Sequence, residues 1–112
     1  MDAKQMLQDF GKTAQQIGEY DPAYINSFMA FVKEGDKPGA LSTKEKELIA
    51  TALGIAAHCT YCIAYHVNGA IEVGATRQEI IETACVAGVM GGGPSIAYIR
   101  LVFDALDQLG AK

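Results

Sequence analysis

The sequence predicts an all-α fold, a single-domain bundle of about six helices, and three observations carry that expectation. Apolar residues recur at helical spacing in one segment after another. Two Ser/Thr-x-x-Glu capping boxes, Ser42 to Glu45 and Thr76 to Glu79, mark helix starts. No stretch shows strand-like alternation that survives comparison with the helical pattern. At 112 residues the chain fits one domain spanning 1–112, and a composition that is 50% hydrophobic and only 20% charged argues against disorder. It also leaves apolar surface over for a partner.

Residues 2–19 carry Ala3, Met6, Leu7, Phe10, Ala14 and Ile17 on one stripe, the pattern of an amphipathic helix. Asp21-Pro22 supplies a cap and a first-turn proline for a second helix, whose Tyr24, Ile25, Phe28, Met29, Phe31 and Val32 form a wide apolar face ending by Gly35. The segment from Gly35 to Ala40 reads as a loop. A third helix opens at the first capping box and is expected to pack through Leu48, Ile49, Ala52, Leu53 and Ala56, with Glu47, Thr51, Gly54 and His58 along a different line. A fourth runs from about Thr60 to Val73 and stops at Gly74. The second capping box opens a fifth, striped by Ile80, Ile81, Ala84, Cys85 and Gly88, and Gly91-Gly-Gly-Pro94 is expected to break it before a last helix over 95–109.

The chemistry is concentrated between Glu47 and His66. This stretch holds two of the three cysteines and both histidines. On a helix, Cys59, Cys62 and His66 stand at i, i+3 and i+7, so two thiols and an imidazole share a face. A Cys-x-x-Cys unit near a helix N-terminus and an imidazole favours the reactive thiolate. His66 lies one turn beyond Cys62, and Glu47 can accept a hydrogen bond from its other ring nitrogen, making one proton path of carboxylate, imidazole and thiol.

Plainer explanations compete with each of these. An isolated Glu47 would be an ordinary first-turn carboxylate, and His58 a favourable charge at a helix end. Cys85, on an apolar stripe, reads as a small buried hydrophobe. Tyr61 and Tyr65 read as packing or rim residues. Zinc is the serious rival for Cys59, Cys62, His66 and His58, but all four lie close together in sequence, where helical rise spreads them awkwardly around one ion. The missing strands remove a thioredoxin-type reading of the cysteine pair and a dinucleotide-loop reading of Gly91 to Gly93.

Charge excludes other classes. The net charge is −4, and the nine Lys and Arg are scattered, which argues against nucleic acid or an anionic membrane as partner. The first residues are charged where a secretory signal is apolar, and no apolar run approaches the roughly 20 residues that span a bilayer. With three cysteines, one stays unpaired within the chain, so a cytoplasmic, reducing location is expected.

The pattern of Glu47, eleven residues, Cys59-x-x-Cys62, three residues and His66 resembles the alkylhydroperoxidase D-like branch of the carboxymuconolactone decarboxylase family. The match is strong from about Ser42 to Pro94. The resemblance implies an all-helical fold in which Cys62 attacks peroxide, Cys59 resolves, and Glu47 and His66 relay protons. It further implies homo-oligomers, trimers or hexamers, with neither metal nor organic cofactor. Tyr61 stands where the better-characterised peroxidases carry a second histidine, so that member of their relay is missing. The decarboxylase branch lacks the cysteine pair.

The reading that follows is a thiol-dependent hydroperoxide reductase, with a small hydroperoxide as substrate and an external dithiol as reductant. Its rivals are a non-enzymatic oligomeric module that senses redox state or holds a metal, and a lactone decarboxylase. The last helix is apolar almost all round, from Ile96 to Leu106, which independently predicts a homo-oligomer.

Overall fold

The structure, a computed structural model describing residues 1–111, contains five α-helices and, among the described residues, no strand. They are α1 (Ala3–Tyr20), α2 (Pro22–Asp36), α3 (Thr43–Ala56), α4 (Thr60–Glu72) and α5 (Arg77–Leu109). The starts follow the capping chemistry. Asp2 caps α1, Asp21 caps α2 ahead of Pro22, and Ser42 and Thr76 form complete capping boxes with Glu45 and Glu79. The hydrogen bonds from the Ser42 backbone and hydroxyl hold the Glu45 carboxyl below its usual range. Those from the Thr76 backbone and from Lys44 do the same for Glu79.

Helices α3, α4 and α5 pack on one another and enclose Ile55, Ile63, Val67, Ile80, Val102 and Leu106, all removed from solvent. The alanines at 64, 70, 84 and 105 are equally buried, so these helices approach closely. α1 lies across α2, α4 and α5, and its first turn is tied to the far end of α5 by the Ala3 N–H donating to Gln108 Oε1 at 2.6 Å. α2 rests mainly on α1, meets α3 near its own C-terminal end, and contributes no fully buried residue. Its wide apolar face is therefore only partly used, with Tyr24 and Phe31 exposed.

Two expectations need correction, those for the buried face of α3 and for Cys85. The aliphatic line of α3 is only partly buried: Glu47, Thr51, Gly54 and Ile55 face inward and Leu48 and Ala52 pack beside them, while Ile49 and Leu53 are 47% and 64% exposed. Burial here follows what α4 offers, a histidine and a close backbone, in place of the larger apolar count. Cys85 is exposed, because Ala84 and Gly88 on the same helix take the core-facing positions. The break expected at Gly91 to Pro94 is present, as a kink inside the span of α5 that separates two helical segments. Gly92 alone leaves helical geometry, at φ 68° and ψ −156°, a conformation open to glycine, and Pro94 falls in the first turn of the resumed helix, where its missing N–H costs nothing. Across that kink α5 spans 33 residues, long and apolar enough to cross a membrane by length and composition. It nonetheless supplies eight buried residues to this bundle, among them Ile80, Val102 and Leu106.

Candidate active site

The site is built where α3 hands the chain to α4. α3 ends in a Schellman turn: the Cys59 N–H donates to the Gly54 carbonyl at 3.0 Å and the His58 N–H to that of Ile55 at 3.0 Å. That turn needs a left-handed residue, and His58 takes it at φ 54°. Its ring is held by stacking on Tyr98, centroids 4.6 Å apart and planes within 16°. The left-handed step delivers Cys59 directly to the N-cap of α4, where its Sγ accepts the Cys62 N–H at 3.2 Å. The sulfurs of Cys59 and Cys62 are joined as a disulfide, with Cα atoms 5.2 Å apart. Once reduced, both thiols sit in the first turn of a helix, at the positive end of its dipole.

His66, one turn further along α4, donates from Nδ1 to Oε2 of Glu47 at 2.9 Å. Glu47 is 6% exposed, so this contact lies in a poorly solvated place where a charge-assisted hydrogen bond is strong. Two glycines make the arrangement possible. A Cβ on Gly69 would stand 2.7 Å from Glu47 Oε2 and 2.9 Å from its Cδ, so only glycine leaves room for the carboxylate between α3 and α4. A Cβ on Gly54 would come within 3.1 Å of the Cys62 Cβ, and its absence lets the thiol-bearing turn settle on α3. Thr51 turns its hydroxyl back to the Glu47 carbonyl at 2.8 Å, which satisfies it in the core.

The other ring edge of His66 and the Cys62 side chain open on a cavity of about 210 Å³ walled by Phe10, Phe28, Val32, Tyr61 and Tyr65. Tyr65 stands edge-on to both Phe10 and His66, at 5.5 and 5.1 Å. Burial, then the charges of Glu47, Asp36 and Glu72, push its phenol above the usual tyrosine range, so it stays a neutral wall at physiological pH. Tyr61 lies exposed at the rim.

The structure thus gathers Cys59, Cys62, His66 and Glu47 in one place. His58 is turned to Tyr98 instead, and among the described residues no three His, Cys, Asp or Glu side chains converge as a metal set would. Four contributors escaped the sequence reading. Phe28 and Val32 of α2 wall the cavity over Cys62, and burial and the neighbouring Glu47 push the carboxyl of Asp36, four residues on, above the usual range. The spacing 28, 32, 36 was the available signal, and it was lost because Asp36 reads as loop. Gly69 gave no signal beyond being a glycine inside a helix.

Similarity to known proteins extends over nearly the whole chain. The sequence profile described as "Carboxymuconolactone decarboxylase family" matches residues 22–105. An uncharacterized protein of Cupriavidus necator is 31% identical over 110 residues, covering 98% of this chain and 97% of its own. A second, from the cox locus of Paracoccus denitrificans, is 34% identical over 99 residues, covering 88% and 86%. Among solved structures, a carboxymuconolactone decarboxylase family protein from Legionella pneumophila superposes with a TM-score of 0.91 at 33% identity, over 96% of each chain. A Thermotoga maritima protein superposes at 0.86 with 25% identity, over 96% of this chain and 94% of its own.

Proposed function

The chain belongs to the carboxymuconolactone decarboxylase family, and from that premise we propose that it is a thiol-dependent hydroperoxide reductase working through Cys62 and Cys59. The observation that supports this most is a disulfide-forming pair whose second cysteine shares a cavity with a histidine bonded to a buried carboxylate.

In the reduced enzyme, His66 takes the Cys62 proton while Glu47 stabilises the imidazolium. The thiolate attacks one peroxide oxygen and the O–O bond breaks; His66 returns the proton to the departing alkoxide, leaving an alcohol and Cys62 sulfenic acid. The Cys59 thiol condenses with that sulfenic acid, forming the S–S bond and releasing water. An external dithiol then reduces the disulfide by exchange and is itself oxidised. The cavity is smaller than a typical cofactor site and walled by aromatic and aliphatic groups, which suits a hydroperoxide with a small apolar body. No lysine or arginine lines it, which suits an uncharged hydroperoxide better than the acid substrate of a decarboxylase.

The test is thiol counting under anaerobic conditions before and after one equivalent of cumene hydroperoxide, with mass spectrometry to locate the new bond. Loss of two thiols and a Cys59–Cys62 disulfide, with one equivalent of alcohol, is the expected result. Two unreacted thiols would refute it.

A further inference from the structure

The two cysteines are held in place by different means. Cys62 lies inside α4, whose hydrogen bonds fix its backbone, and its own N–H donates to Cys59 Sγ at 3.2 Å. Cys59 lies at the junction, and its position depends on the residues that leave α3. No two of these share a backbone region: Ala57 is right-handed at φ −81°, His58 left-handed at φ 54°, and Cys59 extended at φ −101°. The middle step is the costly one, because a Cβ at positive φ crowds the following carbonyl oxygen, and glycine ordinarily takes such a place. A strained residue persists only where its surroundings over-determine it. Beyond the two Schellman bonds, His58 has a further hold: its ring, at an exposed position, stacks on Tyr98 with centroids 4.6 Å apart. Tyr98 is half-buried against the core, on the segment of α5 beyond the Gly92 kink. The stack thus ties the junction to a helix distant in sequence.

We propose that His58 and Tyr98 are positioning residues for the resolving thiol: their stack keeps the left-handed turn in place when the disulfide is open, and so keeps Cys59 where it can close on Cys62. In the oxidised protein the S–S bond itself fixes Cys59. In the reduced protein that tie is gone, and without the stack the left-handed step relaxes and carries the Cys59 sulfur away from its partner. The step served is closure. Cys59 Sγ attacks the sulfur of the Cys62 sulfenic acid, the S–O bond breaks, and the hydroxide leaves with the Cys59 proton as water. Holding the two sulfurs together raises their effective concentration, which speeds that step and makes the finished disulfide harder to reduce. The role rests on the redox pair proposed above, but its signature does not need peroxide.

The equilibrium between the Cys59–Cys62 disulfide and its dithiol decides it, measured on the full-length protein in dithiothreitol redox buffers at fixed pH, with thiol labelling read by mass spectrometry. Tyr98→Leu should shift that equilibrium toward the dithiol by several-fold and at most about tenfold, a rise in potential of up to about 30 mV for a two-electron couple. Tyr98→Phe keeps the ring and should match the wild type. His58→Ala removes the other ring from an exposed position, so it decides the matter if Tyr98→Leu does not fold, and it should shift the equilibrium in the same direction. Because the stack acts as one unit, the double variant should shift no further than the larger single one. An unchanged equilibrium in His58→Ala with its helices intact by circular dichroism would overturn the proposal. So would a Tyr98→Phe protein shifted as far as Tyr98→Leu, or shifts that add in the double variant. A protein that shows the expected shifts but ignores hydroperoxide would retain the positioning role and lose the peroxide reaction alone.

Discussion

α3 carries two faces of opposite character, and their placement is the reverse of what hydrophobicity alone would give. The inward face presents Glu47, Thr51 and Gly54 to α4, and the outward face leaves Ile49 and Leu53 in solvent. A helix that turns a carboxylate inward and a leucine outward is organised by a site on one side and by another surface on the other. Burying Glu47 costs desolvation that the contact to His66 offsets, and the exposed aliphatics are apolar surface left over for a partner. α5 tells the same story, with Val86, Val89 and Met90 exposed along a helix whose other face is core.

The contrast can be broken from the inner side first. Glu47→Gln keeps the shape but cannot stabilise an imidazolium, so peroxide-driven oxidation of Cys62 should slow by about 10² to 10⁴. The loss should shrink at high pH, where the thiol ionises unaided. Stopped-flow oxidation across pH checks this, and a rate unchanged at every pH would remove Glu47 from the relay. Gly69→Ala should come next, because its Cβ would push the Glu47 carboxylate off His66. A displacement near 1 Å can cost about 10²-fold in rate, and circular dichroism should show the helices intact.

The outer side yields smaller chemical effects. We expect a trimer or hexamer in solution, and Leu53→Asp, placing a charge on the outward face, should drive the mass by light scattering toward the 11.9 kDa monomer. A wild-type protein already monomeric at micromolar concentration would leave the apolar faces unexplained by self-association. The smallest effect belongs to Cys85→Ala. Its thiol is exposed and unbonded, so stability in urea should change by no more than about 0.5 kcal/mol and the redox cycle should persist.

Capping chemistry made the helix starts legible, since Ser42, Thr76 and Asp21-Pro22 act locally. The positions of Cys59, Cys62 and His66 on one helix were equally legible, because i+3 and i+7 spacing needs no tertiary information. The choice of buried face on α3 was not, since it depends on what α4 places opposite, namely His66 and the bare backbone of Gly69. Nor was the placing of Phe28 and Val32 over Cys62, which depends on where α2 comes to lie. The break at Gly91 to Pro94 was legible too, and what the sequence does not give is the packing around it, such as the buried Ser95 seated against Gly91.

The most direct test of the central assignment separates the two cysteines. Cys59 caps α4, whereas Cys62 opens on the cavity that also holds His66. Each single serine variant, reduced and then treated with one equivalent of hydroperoxide, is trapped with a dimedone-type reagent and mapped by mass spectrometry. Cys59→Ser should carry the adduct on Cys62, and Cys62→Ser should remain almost unlabelled. An adduct on Cys59 in the Cys62→Ser protein, formed as fast as the wild type loses its thiols, would contradict the account.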